Sequence, residues 1–301
     1  MSGQGEELHP ERPLLGGDTA ENLEAMKRSG ALGYRSETMP IWCPGCGYFG
    51  ITHAVNHALS ALKIPNRNLA VVSGIGCAGR YPFFSRCYGF HVVHGRTIPV
   101  ASGIKMANPA LSVIALAGDG DSLAIGGGHL PHGIRRNVDI TYILFDNGIY
   151  GLTKGQSSPT TPQGQVTGTH PYGNPDIPLN PTLLALAYGA SFVAKGYAGE
   201  PGSLREIFAE AMGHRGFSFV HVVSACVTFD HENILYERLR TLWEPVPEDH
   251  DPADRGAAIT LAMERQWCRG VYFVEQRKAW DELQAETAAR AAVRRTDSAK
   301  K

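Results

Sequence analysis

Apolar residues along this chain gather into short dense blocks separated by glycine-rich, polar stretches. Residues 69–73 (LAVVS), 111–117 (LSVIALA), 139–145 (DITYILF), 191–194 and 217–224 (FSFVHVVS) are apolar runs too short for helices. They read as buried strands. Residues 49–62 (FGITHAVNHALSAL) repeat apolar positions at helical spacing and are stopped by Pro65. Residues 99–108, 182–188 and 204–212 read as further helices, 122–136 as a glycine-broken one, and the chain from Ala262 as a helical tail with an exposed Ala/Arg-rich end. Strand, loop, helix and strand in this order make a βαβ unit, and in open parallel sheets ligands bind at the carboxyl ends of the strands.

The pattern divides the chain into three stretches. Residues 1–36 are polar and charged, with one weak helical patch at 20–26, and read as an extension. Residues 37–245 hold the strands, and residues 246–301 the tail. Residues 151–181 are rich in Thr, Pro, Gln and Gly without periodicity. A structureless loop of that length in a compact domain is functional or partner-covered. No internal repeat or linker interrupts the pattern, so one α/β domain is expected.

Composition narrows the function. With 301 residues, 43% of them apolar, the chain can bury one large core. A formal net charge of −1 offers no global field to nucleic acid or an anionic membrane. No apolar run reaches the roughly 18 residues a membrane helix needs, and the acidic, Pro-rich start lacks a signal-peptide pattern. A cytoplasmic chain is expected, and there six cysteines favour metal ligation over disulfides.

Three segments carry chemistry. Cys43-Pro44-Gly45-Cys46 and Gly74-Ile75-Gly76-Cys77 present thiolates, as a soft metal or an iron–sulfur cluster requires. Gly118-Asp119-Gly120-Asp121 sets an acid in a tight turn, and Asn147 follows Asp119 after 28 residues, at the end of the next strand. Such a pair can hold a hard divalent cation against a diphosphate, with the helix from Ser122 offering amides to the phosphates. An Asp-Gly turn with an N-capping Asn is the plainer reading of the same letters. Glycine, at 35 residues, clusters around these loops and lets backbone amides approach a ligand closely.

Taken together, WCPGCG (42–47), GIGCAGR (74–80), HGR (94–96), the GDG with Asn147, DNGIYGLTKGQ (146–156) and SACVTF (224–229) resemble the β subunit of 2-oxoacid:ferredoxin oxidoreductases. The chain is most similar to the two-subunit 2-oxoglutarate type, 2-oxoglutarate synthase. The resemblance spans roughly residues 37–245. It implies a thiamine diphosphate-binding fold with a central, mostly parallel sheet flanked by helices. It also implies thiamine diphosphate, Mg²⁺ and one 4Fe–4S cluster as cofactors.

Carried over, Cys43, Cys46, Cys77 and Cys226 are the cluster ligands; Asp119, Asn147 and the Ile149 carbonyl hold Mg²⁺. Ile75, Gly76, Cys77, Ala78, His94, Gly120, Asp121, Gly151 and Leu152 line the thiamine diphosphate, and Arg80 and Lys154 meet the 2-oxoacid or coenzyme A. Cys87 and Cys268 have no cluster-like context, and His91, His129 and His132 read as structural. Two letters depart from the family: Ala225 stands where Pro is common, and Asp230 where Asn is.

The implied reaction is coenzyme A-dependent oxidative decarboxylation of 2-oxoglutarate to succinyl-CoA and CO₂. Electrons pass through the cluster to ferredoxin, and the reverse direction fixes CO₂. A pyruvate or broad-specificity enzyme is the nearest variant. The acid that activates the cofactor is not found in this chain, which implies an α subunit and an (αβ)₂ assembly. A thiamine-dependent decarboxylase without redox function leaves the cysteines idle. A cluster-bearing electron-transfer subunit leaves Asp119 unexplained.

Overall fold

The computed structural model describes residues 30–229 and 241–298. The expected patch at 20–26 and Asp230 lie outside these residues. From a 3₁₀ turn at Gly30–Tyr34 the chain forms α1 (Tyr48–Ala61), β1 (Leu69–Ser73), a 3₁₀ segment at Ala78–Phe84, β2 (Tyr88–His91) and α2 (Thr97–Ala107). Next come β3 (Ser112–Gly118), one wide turn at Gly120–Ile125, α3 (Leu130–Arg136) and β4 (Ile140–Asp146). A small hairpin of β5 (Ile149–Tyr150) and β6 (Gln156–Ser157) precedes α4 (Pro181–Ala187), β7 (Phe192–Tyr197), α5 (Pro201–Gly213) and β8 (Phe217–Val223). The described chain closes with β9 (Glu244–Pro245), α6 (Arg255–Glu264), β10 (Cys268–Val274) and α7 (Trp280–Ser298).

Eight strands form one sheet in the order β2-β1-β3-β4-β8-β7-β10-β9. Every neighbouring pair runs parallel except β10 against β7. Alternate residues of each strand face opposite layers, as the period-two geometry of a strand requires. Leu69, Val71, Ile143 and Phe145 pack with Ile51, Val55 and Leu59 of α1 and Leu204 and Phe208 of α5. Ala70, Val72, Tyr142 and Leu144 pack on the other face with Ile98 of α2, Ile134 of α3, Leu186 of α4 and Leu261 of α6. Strands buried on both faces read as unbroken apolar runs, which is why β1, β3, β4 and β8 were legible.

Two expectations are corrected. The tail from Ala262 is not helical throughout: Cys268–Val274 is a strand that extends the sheet beside β7, and the long helix begins only at Trp280. β-branched Val271 and Val274 with Tyr272 and Phe273 suit a pleated surface, and they override the helical reading. The segment after Asp119 is a single wide turn, and helix resumes at Leu130 after Gly126-Gly127-Gly128. Among the described residues no helix is long and apolar enough to cross a membrane.

Asn137 anchors the sheet edge opposite the glycine loops. It caps α3 in the left-handed conformation at φ 52°. Its Oδ1 accepts from Ser191 Oγ at 2.7 Å and Phe217 N at 3.0 Å, and its Nδ2 donates to the Arg277 and Lys278 carbonyls. One side chain thus joins the starts of β7 and β8 to the segment leading into α7. Asn137→Gly keeps the backbone freedom but loses these bonds and should cost about 2–4 kcal/mol. Asn137→Ala should cost roughly 1 kcal/mol more for the left-handed backbone. Urea unfolding of both variants measures the difference; a loss below about 1 kcal/mol for Asn137→Gly contradicts this anchor.

Candidate active site

The parallel strands deliver their carboxyl ends to one edge of the sheet, and the chemical motifs follow directly. Gly74–Cys77 comes after β1, His94 after β2, Asp119–Asp121 after β3, Asn147 and Ile149 after β4, and Cys226 after β8. The chain leaves β1 towards β2 but leaves β3 towards β4, so the loops after β1 and β3 diverge and open a crevice. That is where open α/β sheets bind ligands.

A cavity of about 470 Å³ occupies this crevice. Ile75, Gly76, Cys77, Ala78, His94, Gly120, Asp121, Asn147, Ile149, Gly151 and Leu152 all line it. Glycine is needed at two points. A Cβ at Gly120 would meet the Tyr150 ring at 2.2 Å, and Gly76 sits at φ 106°. Its volume falls in the range of organic cofactor pockets, roughly 300–1,000 Å³.

Asp121 organises the loops around this cavity. Its Oδ1 accepts from Ile75 N at 2.9 Å, Gly95 N at 2.9 Å and His94 Nδ1 at 2.6 Å, so one buried carboxylate pins the loops after β1 and β2. A Cβ at Gly74 would strike that carboxylate. With Nδ1 committed to Asp121, Nε2 is the ring atom His94 has left for a ligand.

Asp119 lies deeper, 2% exposed, beneath Gly118 and Gly120. Thr160 Oγ1 bridges its Oδ2, at 2.9 Å, to Asp146 Oδ1, at 2.7 Å. Asp146 is satisfied by His221 Nε2 at 2.8 Å and Gly148 N at 3.0 Å, and His221 Nδ1 meets Thr182 Oγ1 at 3.0 Å. Burial raises Asp146, but the hydrogen bond and charge of His221 outweigh it and hold the acid below the usual carboxylate range. Among the described residues no basic side chain acts on Asp119. Burial first and the Asp146 charge second push its carboxyl up to about 7. A divalent cation on Asp119 and the Asn147 side-chain oxygen would supply the missing positive charge.

Cys43, Cys46, Cys77 and Cys226 line a second cavity of about 230 Å³, together with Arg80, Lys154, Gly151 and Leu152. Cys77, Tyr48, Asn147, Gly151 and Leu152 border both cavities, so the thiol cage abuts the larger crevice. A Cβ at Gly151 would sit 3.8 Å from the sulfurs of both Cys77 and Cys226. Burial, and then the charges of Cys226, Cys77 and Cys43, push the Cys46 thiol up to about 11, partly offset by the Tyr48 amide. Trp42 Nε1 donates to the Cys77 carbonyl at 2.8 Å, and Thr228 Oγ1 donates to Cys43 Sγ at 3.1 Å.

Among the described residues no three His, Cys, Asp or Glu side chains converge on a single metal ion. Four thiols spread around one cavity suit a body of several irons, which takes one thiolate at each corner. Cys87 and Cys268 lie outside the cage.

Sequence reasoning missed Tyr48, Thr160 and His221. His221 carried a signal, because a polar residue inside the apolar run FVHVV needs a buried partner. Thr160 carried none.

The two acids should behave oppositely in the cofactor-free chain. Asp119 binds its proton more tightly folded than unfolded, so stability should fall as pH rises from about 4 towards about 7. Asp119→Asn should flatten that slope. Asp121→Asn should instead cost about 2–4 kcal/mol through weakened bonds to Ile75, His94, Gly95 and Thr97. Denaturant titrations at pH 5 and pH 8 distinguish them. Equal destabilisation by both variants at pH 8 would refute the buried-charge assignment.

Residues 74–222 match the thiamine pyrophosphate enzyme C-terminal TPP-binding domain family. The chain is 45% identical over 226 residues to 2-oxoacid:ferredoxin oxidoreductase 2, subunit beta, of Aeropyrum pernix, covering 74% of this chain and 73% of that protein. It is 44% identical over 201 residues to the 2-oxoglutarate synthase subunit KorB of Archaeoglobus fulgidus, covering 66% and 74%. Among solved structures, a chain of 2-oxoglutarate:ferredoxin oxidoreductase from Magnetococcus marinus, with 2-oxoglutarate, coenzyme A and succinyl-CoA bound, superimposes with a TM-score of 0.84 at 44% identity. That match covers 87% of this chain and 90% of the other. A thiamine diphosphate-binding domain on a mostly parallel sheet, with identity of this extent, makes the chain a member of the 2-oxoacid:ferredoxin oxidoreductase β-subunit family.

Proposed function

We propose that this β subunit serves the coenzyme A-dependent oxidative decarboxylation of 2-oxoglutarate to succinyl-CoA, passing electrons to ferredoxin. The observation that carries the reading is the shared border of the two cavities at Cys77, which sets a four-thiol cage against a cofactor-sized crevice. Bound there, thiamine diphosphate supplies an electron sink for loss of CO₂, and a 4Fe–4S cluster supplies a one-electron outlet. Asp119, Asn147 and the Ile149 carbonyl hold Mg²⁺; the glycine loops bring backbone amides to the diphosphate. Cys43, Cys46, Cys77 and Cys226 hold the cluster, and residues 37–245 carry both groups.

Among the described residues lining the larger cavity, Asp121 is the only carboxylate, and four donors already meet it. No free acid is left there to meet the aminopyrimidine ring of the cofactor, which ylid formation requires. An α subunit must bring one, which supports an (αβ)₂ enzyme. Arg80 and Lys154 border the thiol cavity, beside Leu152 at its junction with the crevice. Lys154 is held there in the left-handed conformation at φ 84°, a strain that persists where the surroundings require it. Both side chains are placed to meet the anionic 2-oxoacid or coenzyme A. The unspecified 2-oxoacid in the Aeropyrum relative's name favours broad specificity as the second reading.

Cys226→Ala should lose the cluster or leave a three-iron form, whereas Cys87→Ala and Cys268→Ala should keep it. Iron analysis and low-temperature EPR decide this, and an intact cluster in Cys226→Ala refutes the ligand set. In the assembled enzyme, kcat/KM should favour 2-oxoglutarate over pyruvate. Arg80→Ala should erode that preference roughly ten- to a hundredfold, the worth of one charge-assisted hydrogen bond. A wild-type preference for pyruvate overturns the substrate assignment. An equal loss on both substrates moves Arg80 to coenzyme A or to the cage.

A further inference from the structure

Thr160 is used by nothing above except as a bridge between two acids, yet it belongs to the long surface loop. One hydroxyl hydrogen is shared between Asp119 Oδ2 at 2.9 Å and Asp146 Oδ1 at 2.7 Å. Its neighbour Thr161 is fully buried and donates to the Gly148 carbonyl at 2.6 Å. Thr161 also accepts from Ser158 N at 2.7 Å through its hydroxyl and from Asn174 Nδ2 at 3.0 Å through its carbonyl. Two successive threonines therefore clamp the loop to the turns that follow β3 and β4.

From this clamp the chain runs outward and closes on itself. Gly164 N donates to the Asn174 carbonyl and Asn174 N to the Gln165 carbonyl, each at 2.8 Å. Leu179 N returns to the Pro159 carbonyl at 2.9 Å. The outer side bears Val166, Ile177 and Tyr172, which are 66%, 80% and 100% exposed. One closed segment thus presents apolar side chains outward and buries a hydroxyl against the proposed cation ligand.

We propose that Thr160 is a positioning residue that couples filling of the Asp119–Asn147 cation site to the order of residues 158–179. The inference rests on the functional reading above. Two carboxylates that share the Thr160 hydroxyl repel each other, while Ser158 and the Asn147 amide are the further donors to Asp119. A divalent cation on Asp119 cancels that repulsion, so the shared bridge tightens and the clamped loop is held with it. The coupling is reciprocal: whatever orders the loop strengthens the hold on the cation.

Hydrogen exchange read by mass spectrometry tests the coupling in the full-length chain, with and without thiamine diphosphate and Mg²⁺. In wild type and Thr160→Ser, loading should slow exchange across residues 158–179 roughly tenfold, the effect of one charge-assisted hydrogen bond. Thr160→Val keeps the shape without the donor. It should still take up thiamine diphosphate by calorimetry, at reduced affinity, while its loop no longer responds. Equal loop protection in Thr160→Val and wild type overturns the proposal. So does a wild-type loop that ignores a bound cofactor, a result that needs no variant to fold. A wild-type chain that takes up no thiamine diphosphate refutes the functional reading, and this inference with it.

Discussion

Uncompensated negative charge at one sheet edge is the constraint on which the rest of this structure depends. Asp119 and Asp146 end neighbouring strands, both buried, with a single threonine hydroxyl between them. His221 answers Asp146, whereas no Lys, Arg or His among the described residues answers Asp119. Beside them stand four thiols, of which Cys46 and Cys77 are pushed up first by burial and then by the neighbouring thiols. A folded chain tolerates such groups if they stay protonated or if cations are supplied. On the function proposed for this chain, positive charge would complete the edge, a hard cation at the oxygens and a soft one at the sulfurs.

The fold explains why both sets of donors face each other. Parallel strands send their carboxyl ends to one side, and reversal of strand order between β1 and β3 opens the crevice there. Cys77, three residues beyond Gly74 in the loop after β1, is the thiol that borders both cavities. Asp121 then fixes the loops, at the expense of being unavailable for proton transfer. An incomplete acid inventory is the physical sign that catalysis needs a second chain.

Much of this was legible in the letters. Strands such as Leu69–Ser73 are buried on both faces, so their apolar runs are unbroken and their bounds plain. The CxxC and GDG segments are local, and local turns advertise their chemistry through glycine and spacing. What stayed hidden depends on long-range contact. Strand β2 is short, and three of its four residues are exposed, so it has no apolar run. Strand β10 carries strand-forming residues, but only its pairing with β7 places it in the sheet. Asp121 looked like a ligand contact and also proved to be a pin, because its donors arrive from loops 26 and 46 residues away. Thr160 lies in a stretch without periodicity, and only the folded chain brings it to the acids.

The central claim is that Asp119 holds the metal and diphosphate while the four cysteines independently hold a cluster. It is tested most directly by anaerobic purification of wild type and Asp119→Ala, assaying iron, acid-labile sulfide, magnesium and thiamine diphosphate on the same samples. Wild type should contain iron and sulfide in cluster stoichiometry and thiamine diphosphate equimolar with the chain. Asp119→Ala should lose magnesium and thiamine diphosphate and keep its iron. Stoichiometric thiamine diphosphate in Asp119→Ala, or a wild-type chain without iron, would contradict the account.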